Sequence, residues 1–163
     1  MATVQVACLL IEHFDYQIQA VANPSLRGRP VIIGDYRHGV VDISKKAEDH
    51  GITVGMPLRQ ALARTRDAVL IEPDLGLYHR SWKRILGTLH NVTPLVEDQE
   101  RGLAFVSVDG LERLYKSETN LLRALQSAVP ASVESRLGVA PGKFPAYVAA
   151  WDALPDVHHQ EPA

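Results

Sequence analysis

What this sequence lacks narrows it first. Its 163 residues contain one cysteine, so no internal disulfide framework can form and a reducing compartment is the default. Cys8 lies inside an apolar run and reads as a small core residue, not as a reactive thiol. Basic residues are not in excess: 17 Lys and Arg against 19 Asp and Glu give a net charge of −2. A protein that grips a nucleic-acid backbone unaided presents a basic excess, so DNA binding by this chain is expected to be weak or assisted. No apolar run approaches the roughly 20 residues of a bilayer span, which argues against a membrane partner. The N-terminal MATVQVACLLIE has no basic leader before its apolar part and ends in an acid, so it reads as a strand and not as a signal peptide. A cytoplasmic protein is expected.

What is present is ordinary globular composition, 46% hydrophobic and 22% charged, in a chain long enough for one domain with a small lobe. Residues 4–11 form a near-continuous apolar run, as a strand buried on both faces does, and Glu12 ends it. Phe14, Ile18 and Val21 then recur at spacings of four and three, which predicts a helix over 13–22, stopped by Asn23-Pro24. A turn at 27–30 leads to a strand at 31–33 running into Gly34-Asp35, and a third strand over 39–43 follows a loop at 36–38. Ser44 reads as the N-cap of a helix reaching His50, with Gly51 as its C-cap. Met56-Pro57 opens another helix, with Leu58, Ala61 and Leu62 on one face, that ends near Arg66-Asp67.

Residues 68–71 read as a brief strand. Asp74 caps the longest helix, where Leu75, Tyr78, Trp82, Ile85, Leu86 and Leu89 mark one face and put Trp82 in the core, until Thr93-Pro94 stops it. Strands at 95–97 and 103–108 follow, connected through 98–102. Leu121, Leu122, Leu125 and Val129 predict a helix over 117–129 capped by Ser117, and a strand over 132–139 and a helix over 146–154 complete the order. This succession is that of a mixed α/β (α+β) fold, a ferredoxin-like sandwich carrying an inserted lobe. The tail, 155–163, has no periodicity and reads as the edge of a longer protein.

Several segments together resemble the palm and fingers of Y-family (UmuC/DinB-like) translesion DNA polymerases: NPSLRGRPVIIG (23–34), GITVGMPLRQALARTRDAVLIEPD (51–74), YHRSWKRILGTL (78–89), TPLVE (93–97) and GVAPGK (138–143). The resemblance runs in order over about residues 6–150 and implies a palm-like subdomain of 1–23 and 68–163, a fingers-like insert of 24–67, and a thumb and little finger beyond the chain. It also implies where chemistry should sit. Active members hold two metal ions, ordinarily Mg2+, on an Asp-x-Asp motif ending the first strand and an Asp-Glu pair entering the central one. Here Glu12 stands for the first Asp, Phe14 takes the second, and the steric-gate aromatic has no clear counterpart because the segment to Asn23 is about two residues short. With TPLVE and Ala104-Phe105-Val106 in register, the Asp-Glu pair falls on Gly102 and Leu103, neither a metal ligand. The Tyr and Arg that hold the incoming triphosphate fall on Lys45 and Glu48, and Lys143 alone keeps a triphosphate-binding type.

A polymerase scaffold with replaced ligands resembles the ImuB-type branch. That resemblance implies a non-catalytic accessory role in SOS-type mutagenesis, bridging an active polymerase, a small accessory protein and the sliding clamp, with no cofactor of its own. The competing expectations are an active error-prone polymerase using Mg2+ on unorthodox ligands such as Glu12 with Glu100 or Asp109, and an adaptor that no longer binds DNA.

Each residue also has a plainer reading. Glu12, before a helix, fits a first-turn acid that complements the helix dipole, and Asp15 is similar. Asp109-Gly110 is a turn signal, and strand alternation puts Asp109 on the face opposite Gly102. GVAPGK fails as a phosphate loop, since its glycine spacing is one short and Phe144 stands where Ser or Thr would bind magnesium. His158-His159 lacks partners at ligand spacing. Arg27, Arg29, Arg59, Arg64, Arg66 and Lys83-Arg84 could meet DNA or a partner, or simply be solvated. Trp151 could pack on a missing thumb.

Overall fold

The computed structural model describes residues 5–153 and 155. Its organising element is β1 (Gln5–Leu10), buried on both faces as its apolar run requires. β1 is flanked by β6 (Leu103–Ser107) and β7 (Arg136–Pro141), and β5 (Val96–Glu100) closes the far side of β6. The order β5-β6-β1-β7, with every neighbour antiparallel, is the ferredoxin-like arrangement expected from the element order. On one face Val6, Cys8 and Leu10 of β1 and Phe105 of β6 cluster with Ala146 and Ala150 of α7 (Lys143–Asp152). Burial pushes the Cys8 thiol up to about 12, which makes it the inert core residue expected. Gly138 of β7 allows α7 to lie directly on the strand, because a Cβ there would come 2.2 Å from the Ala150 nitrogen.

A second sheet, of order β3-β2-β4, is built from β2 (Val31–Asp35), β3 (Gly39–Ile43) and β4 (Val69–Ile71). Around it lie α1 (Phe14–Ala22), a 3-10 turn at Pro24–Leu26, α2 (Lys45–Asp49) and α3 (Leu58–Arg64). Ile32, Val40, Ile43, Ala47, Ile52, Leu58 and Ala61 form their core. Ser44 caps α2 as expected: its hydroxyl accepts from the Ala47 and Val31 amides at 3.2 and 2.8 Å and donates to the Arg29 carbonyl at 2.9 Å.

The chain divides into two compact units, Met1–Glu12 with Arg80–Ala163, and His13–His79. The second gathers α1 and the first turn of α4 (Leu75–Val92) as well as residues 24–67. Asp74 caps α4 through Leu77, and the Trp82 indole donates to Asp98 of β5 at 2.8 Å.

Five local expectations are corrected. β4 pairs in parallel with β2, so residues 69–71 belong to the three-stranded sheet. β5 continues to Glu100 and turns within Arg101-Gly102, because an edge strand needs no apolar alternation. α5 (Leu111–Tyr115) follows Gly110 where only a turn was read, ahead of α6 (Glu118–Gln126), which Ser117 caps through the Asn120 amide at 3.1 Å. β7 begins four residues later than its apolar start at Ser132-Val133, since Val133 is buried in a turn, and α7 begins at Lys143 instead of Ala146.

Candidate functional site

In the first unit the two segments singled out from sequence converge. Leu10 pairs with Leu103, and the Ile11 amide donates to the Gly102 carbonyl at 2.7 Å, so Glu12, Gly102 and Leu103 share one end of the sheet. Arg136, the first residue of β7, lies opposite Leu10 from the other side. Its Nε stands 3.6 Å from Glu12 Oε1, and its Nη1 donates to the Trp151 carbonyl at 3.3 Å and to that of Ala153. Glu12 is thus neutralised by a guanidinium that also caps the end of α7. Gly102 has φ +87°, the left-handed region, between β5 and β6. Leu103 is half-buried and packs against the Val6, Cys8, Leu10 and Phe105 cluster.

The remaining carboxylates are dispersed. Asp109 Oδ1 accepts from the Gln5 amide at 2.8 Å, at the opposite end of β1 from Glu12, which removes Asp109 as a partner for it. Seven residues of extended chain separate the two ends, on the order of 20 Å. Glu100 sits opposite Leu103 and is exposed. Among the described residues no group of three His, Cys, Asp or Glu side chains is arranged to hold a metal ion. Phe14 opens α1 and is core, 4% exposed. Lys143 opens α7, and its Nζ lies 2.9 and 3.0 Å from the two Glu97 oxygens and 5.9 Å above the Phe105 ring.

In the second unit, Lys45 is exposed on α2 and Glu48 is engaged by His13, whose Nε2 lies 2.9 Å from Glu48 Oε2. His13, in the left-handed conformation at φ 52°, also places Nδ1 3.4 Å from Asp42 Oδ1. Asp42 is buried and accepts from the Tyr16 amide at 2.8 Å, so it satisfies the start of α1 from β3. Sequence reading missed this group, because Asp42 lies 29 residues from His13 with no local signal. Arg27, Arg29, Arg59, Arg64 and Arg66 are exposed. Trp151 is half-exposed and meets Tyr147 edge-on at 6.2 Å. His158-His159 lies outside the described residues.

Comparison with known proteins gives a consistent answer. The model of the impB/mucB/samB family matches residues 9–150. The chain is 35% identical over 118 residues to a DNA polymerase IV of Brucella melitensis, covering 72% of this chain and 26% of that protein. It is 31% identical over 154 residues to a DNA polymerase IV of Caulobacter vibrioides, covering 92% and 38%. Among solved structures, an insertion ternary complex of Dbh DNA polymerase superposes with a TM-score of 0.81 at 21% identity, covering 93% of this chain and 46% of that one. DinB from Sulfolobus solfataricus superposes with a TM-score of 0.80 at 21% identity, over the same shares. The chain therefore spans less than half the length of these relatives. With 142 of its 163 residues inside the family match, it belongs to the impB/mucB/samB family of Y-family DNA polymerase homologues.

Proposed function

We propose that this chain is the palm-and-fingers part of a non-catalytic, ImuB-type Y-family homologue that serves DNA-damage tolerance as an accessory factor. In this reading residues 1–23 and 68–163 are the palm and 24–67 the fingers, with α1 and β4 packing in the unit that holds the fingers. One observation carries the reading: where β1 and β6 converge, the residues present are Glu12 held by Arg136, a glycine in a left-handed turn and a leucine packed into the core. Nucleotide addition through two Mg2+ ions needs carboxylates that bridge both metals, and this donor set does not fit that pair. Glu48 under His13 and Lys143 on Glu97 are likewise engaged within the protein, so neither vestige of a triphosphate site is presented freely. The chain then contributes scaffold contacts and weak DNA binding, through exposed arginines such as Arg27, Arg29, Arg59 and Arg64. An active replicative-type or translesion polymerase, a small accessory protein and a sliding clamp are its partners in an SOS-type response.

Primer extension by the full-length protein with Mg2+ or Mn2+ tests the reading. The expected result is no template-directed incorporation, together with salt-dependent DNA binding. Incorporation abolished by Glu12→Ala would establish a polymerase with unorthodox ligands and overturn the proposal. Absence of DNA binding at any salt concentration would make the protein a pure adaptor.

A further inference from the structure

Among the described residues the four-stranded sheet ends at β5 with no further strand paired to it. α7 lies on β7 and β1 and reaches Phe105 of β6, so the open part of that face is the side toward β5. There Val6, Leu95, Phe105 and Ser107, with Glu97 and Lys143 at the rim, line an open depression of about 300 Å³. Leu95 is 65% exposed beside it. The Ser107 amide donates to the Leu95 carbonyl at 3.1 Å, so Leu95 and then Glu97 bond inward to β6. Antiparallel alternation turns the N–H and C=O groups of Val96 and Asp98 outward, toward the free edge.

The side chains along this edge define what fits. Leu95 and Val96 present apolar surface on the two faces, and the next pair, Glu97 and Asp98, presents a carboxylate on each. Asp98 is exposed and keeps one carboxylate oxygen on the Trp82 indole. Glu100 adds a third, and a register shift between Asp98 and Glu100 twists the strand end. A second copy of the chain would bring carboxylates against carboxylates, and such charges and bulges are how edge strands repel their own kind. A basic strand meets none of that repulsion.

We propose that β5 docks a basic extended segment of another protein as a fifth, antiparallel strand. The segment hydrogen-bonds the outward groups of Val96 and Asp98. It carries two basic residues followed by two apolar ones: the basic pair faces Asp98 and Glu97, and the apolar pair covers Val96 and Leu95, one side chain entering the depression beside Phe105. The exposed Lys143–Glu97 ion pair opens as the incoming basic residue takes Glu97. This docking is independent of whether the chain retains any nucleotidyl transfer.

The probe is a fluorescein-labelled peptide, Ser-Lys-Arg-Val-Val-Thr-Ser, titrated with the full chain and followed by anisotropy. Two controls accompany it, one with both basic residues replaced by glutamate and one N-methylated on alternate backbone amides. The basic peptide is expected to bind at least about tenfold more tightly than either control. Val96→Pro, which removes an outward N–H without touching the ladder to β6, should weaken binding about tenfold. Glu97→Lys should do the same, whereas Lys143→Ala, which frees Glu97, should leave binding equal or tighter. Circular dichroism and thermal midpoints establish that each variant is folded. Equal binding of the N-methylated peptide, or no effect of Val96→Pro in a folded variant, would reduce the effect to charge and overturn the proposal. A dimer in light scattering that Val96→Pro dissociates would also overturn it, by making the occupant a second copy.

Discussion

On the proposed reading, placing an Asp-Glu pair at Gly102 and Leu103 should fail to build a metal site, and the size of the failure follows from the structure. Gly102 at φ +87° takes a backbone conformation that costs an L residue roughly 1 kcal/mol, with aspartate among the residues that tolerate it best. Leu103 is half-buried against the core cluster, so removing its apolar surface costs about 1 kcal/mol. Placing a carboxylate there adds about another 1 kcal/mol of incomplete solvation. The double variant Gly102→Asp, Leu103→Glu is therefore expected to be about 3 kcal/mol less stable than the parent, a fall of about 6 to 12 °C in thermal midpoint for a chain of this size. Gly102→Ala alone should account for about a third of it, which separates the backbone contribution from the packing one. Isothermal titration with Mn2+ completes the assay: Glu12 stays on Arg136, so no tight divalent site should appear. An unchanged midpoint together with stoichiometric Mn2+ binding would refute the reasoning, because it would mean that turn and core accept carboxylates without strain.

Three further outcomes test the fold around this site. Ser44→Ala should cost about 2 to 3 kcal/mol in urea denaturation, since it uncaps α2 and strands the buried Val31 amide. Gly138→Ala should cost about 3 kcal/mol and shift the Trp151 fluorescence, because the new Cβ meets α7 backbone at 2.2 Å. Burial raises the Tyr78 phenol above its ordinary 10.0, although the Gln19 amide donating to it at 2.8 Å pulls the other way. The folded state thus holds this proton more tightly than the unfolded one. The contribution is fully present below pH 10.0 and is lost as pH rises through the raised value, so urea midpoints measured from pH 8 to 11 should fall more steeply than in Tyr78→Phe.

Much of the scaffold was legible because its signals are local. The strand over Gly39–Ile43, the Ser44 and Ser117 caps, and the apolar face of α4 were readable from spacing and residue type alone. The end of β5 carries no sequence signal because Glu97 to Glu100 are polar throughout, and an edge strand exposed along its length shows no period. The start of β7 is masked in the sequence because Val133, although buried, belongs to the turn before the strand. α5 is five residues long and too short to show a period of 3.6. At the candidate site, the family resemblance singled out Glu12, Gly102 and Leu103, and the sheet brings these three together. The neutralising partners were invisible, since Arg136, His13 and Glu97 reach their counterparts only through tertiary folding.

Arg136 and Gly138 lie two residues apart on β7, and each joins the strand to α7, one by hooking the carbonyls at the helix end and the other by backbone contact with no side chain between. The two contacts fix the same helix to the same strand at neighbouring points. Anything that loosens the C-terminal end of α7 therefore also loosens the guanidinium beside Glu12, so the helix end and the charge at this corner of the sheet are coupled through one side chain.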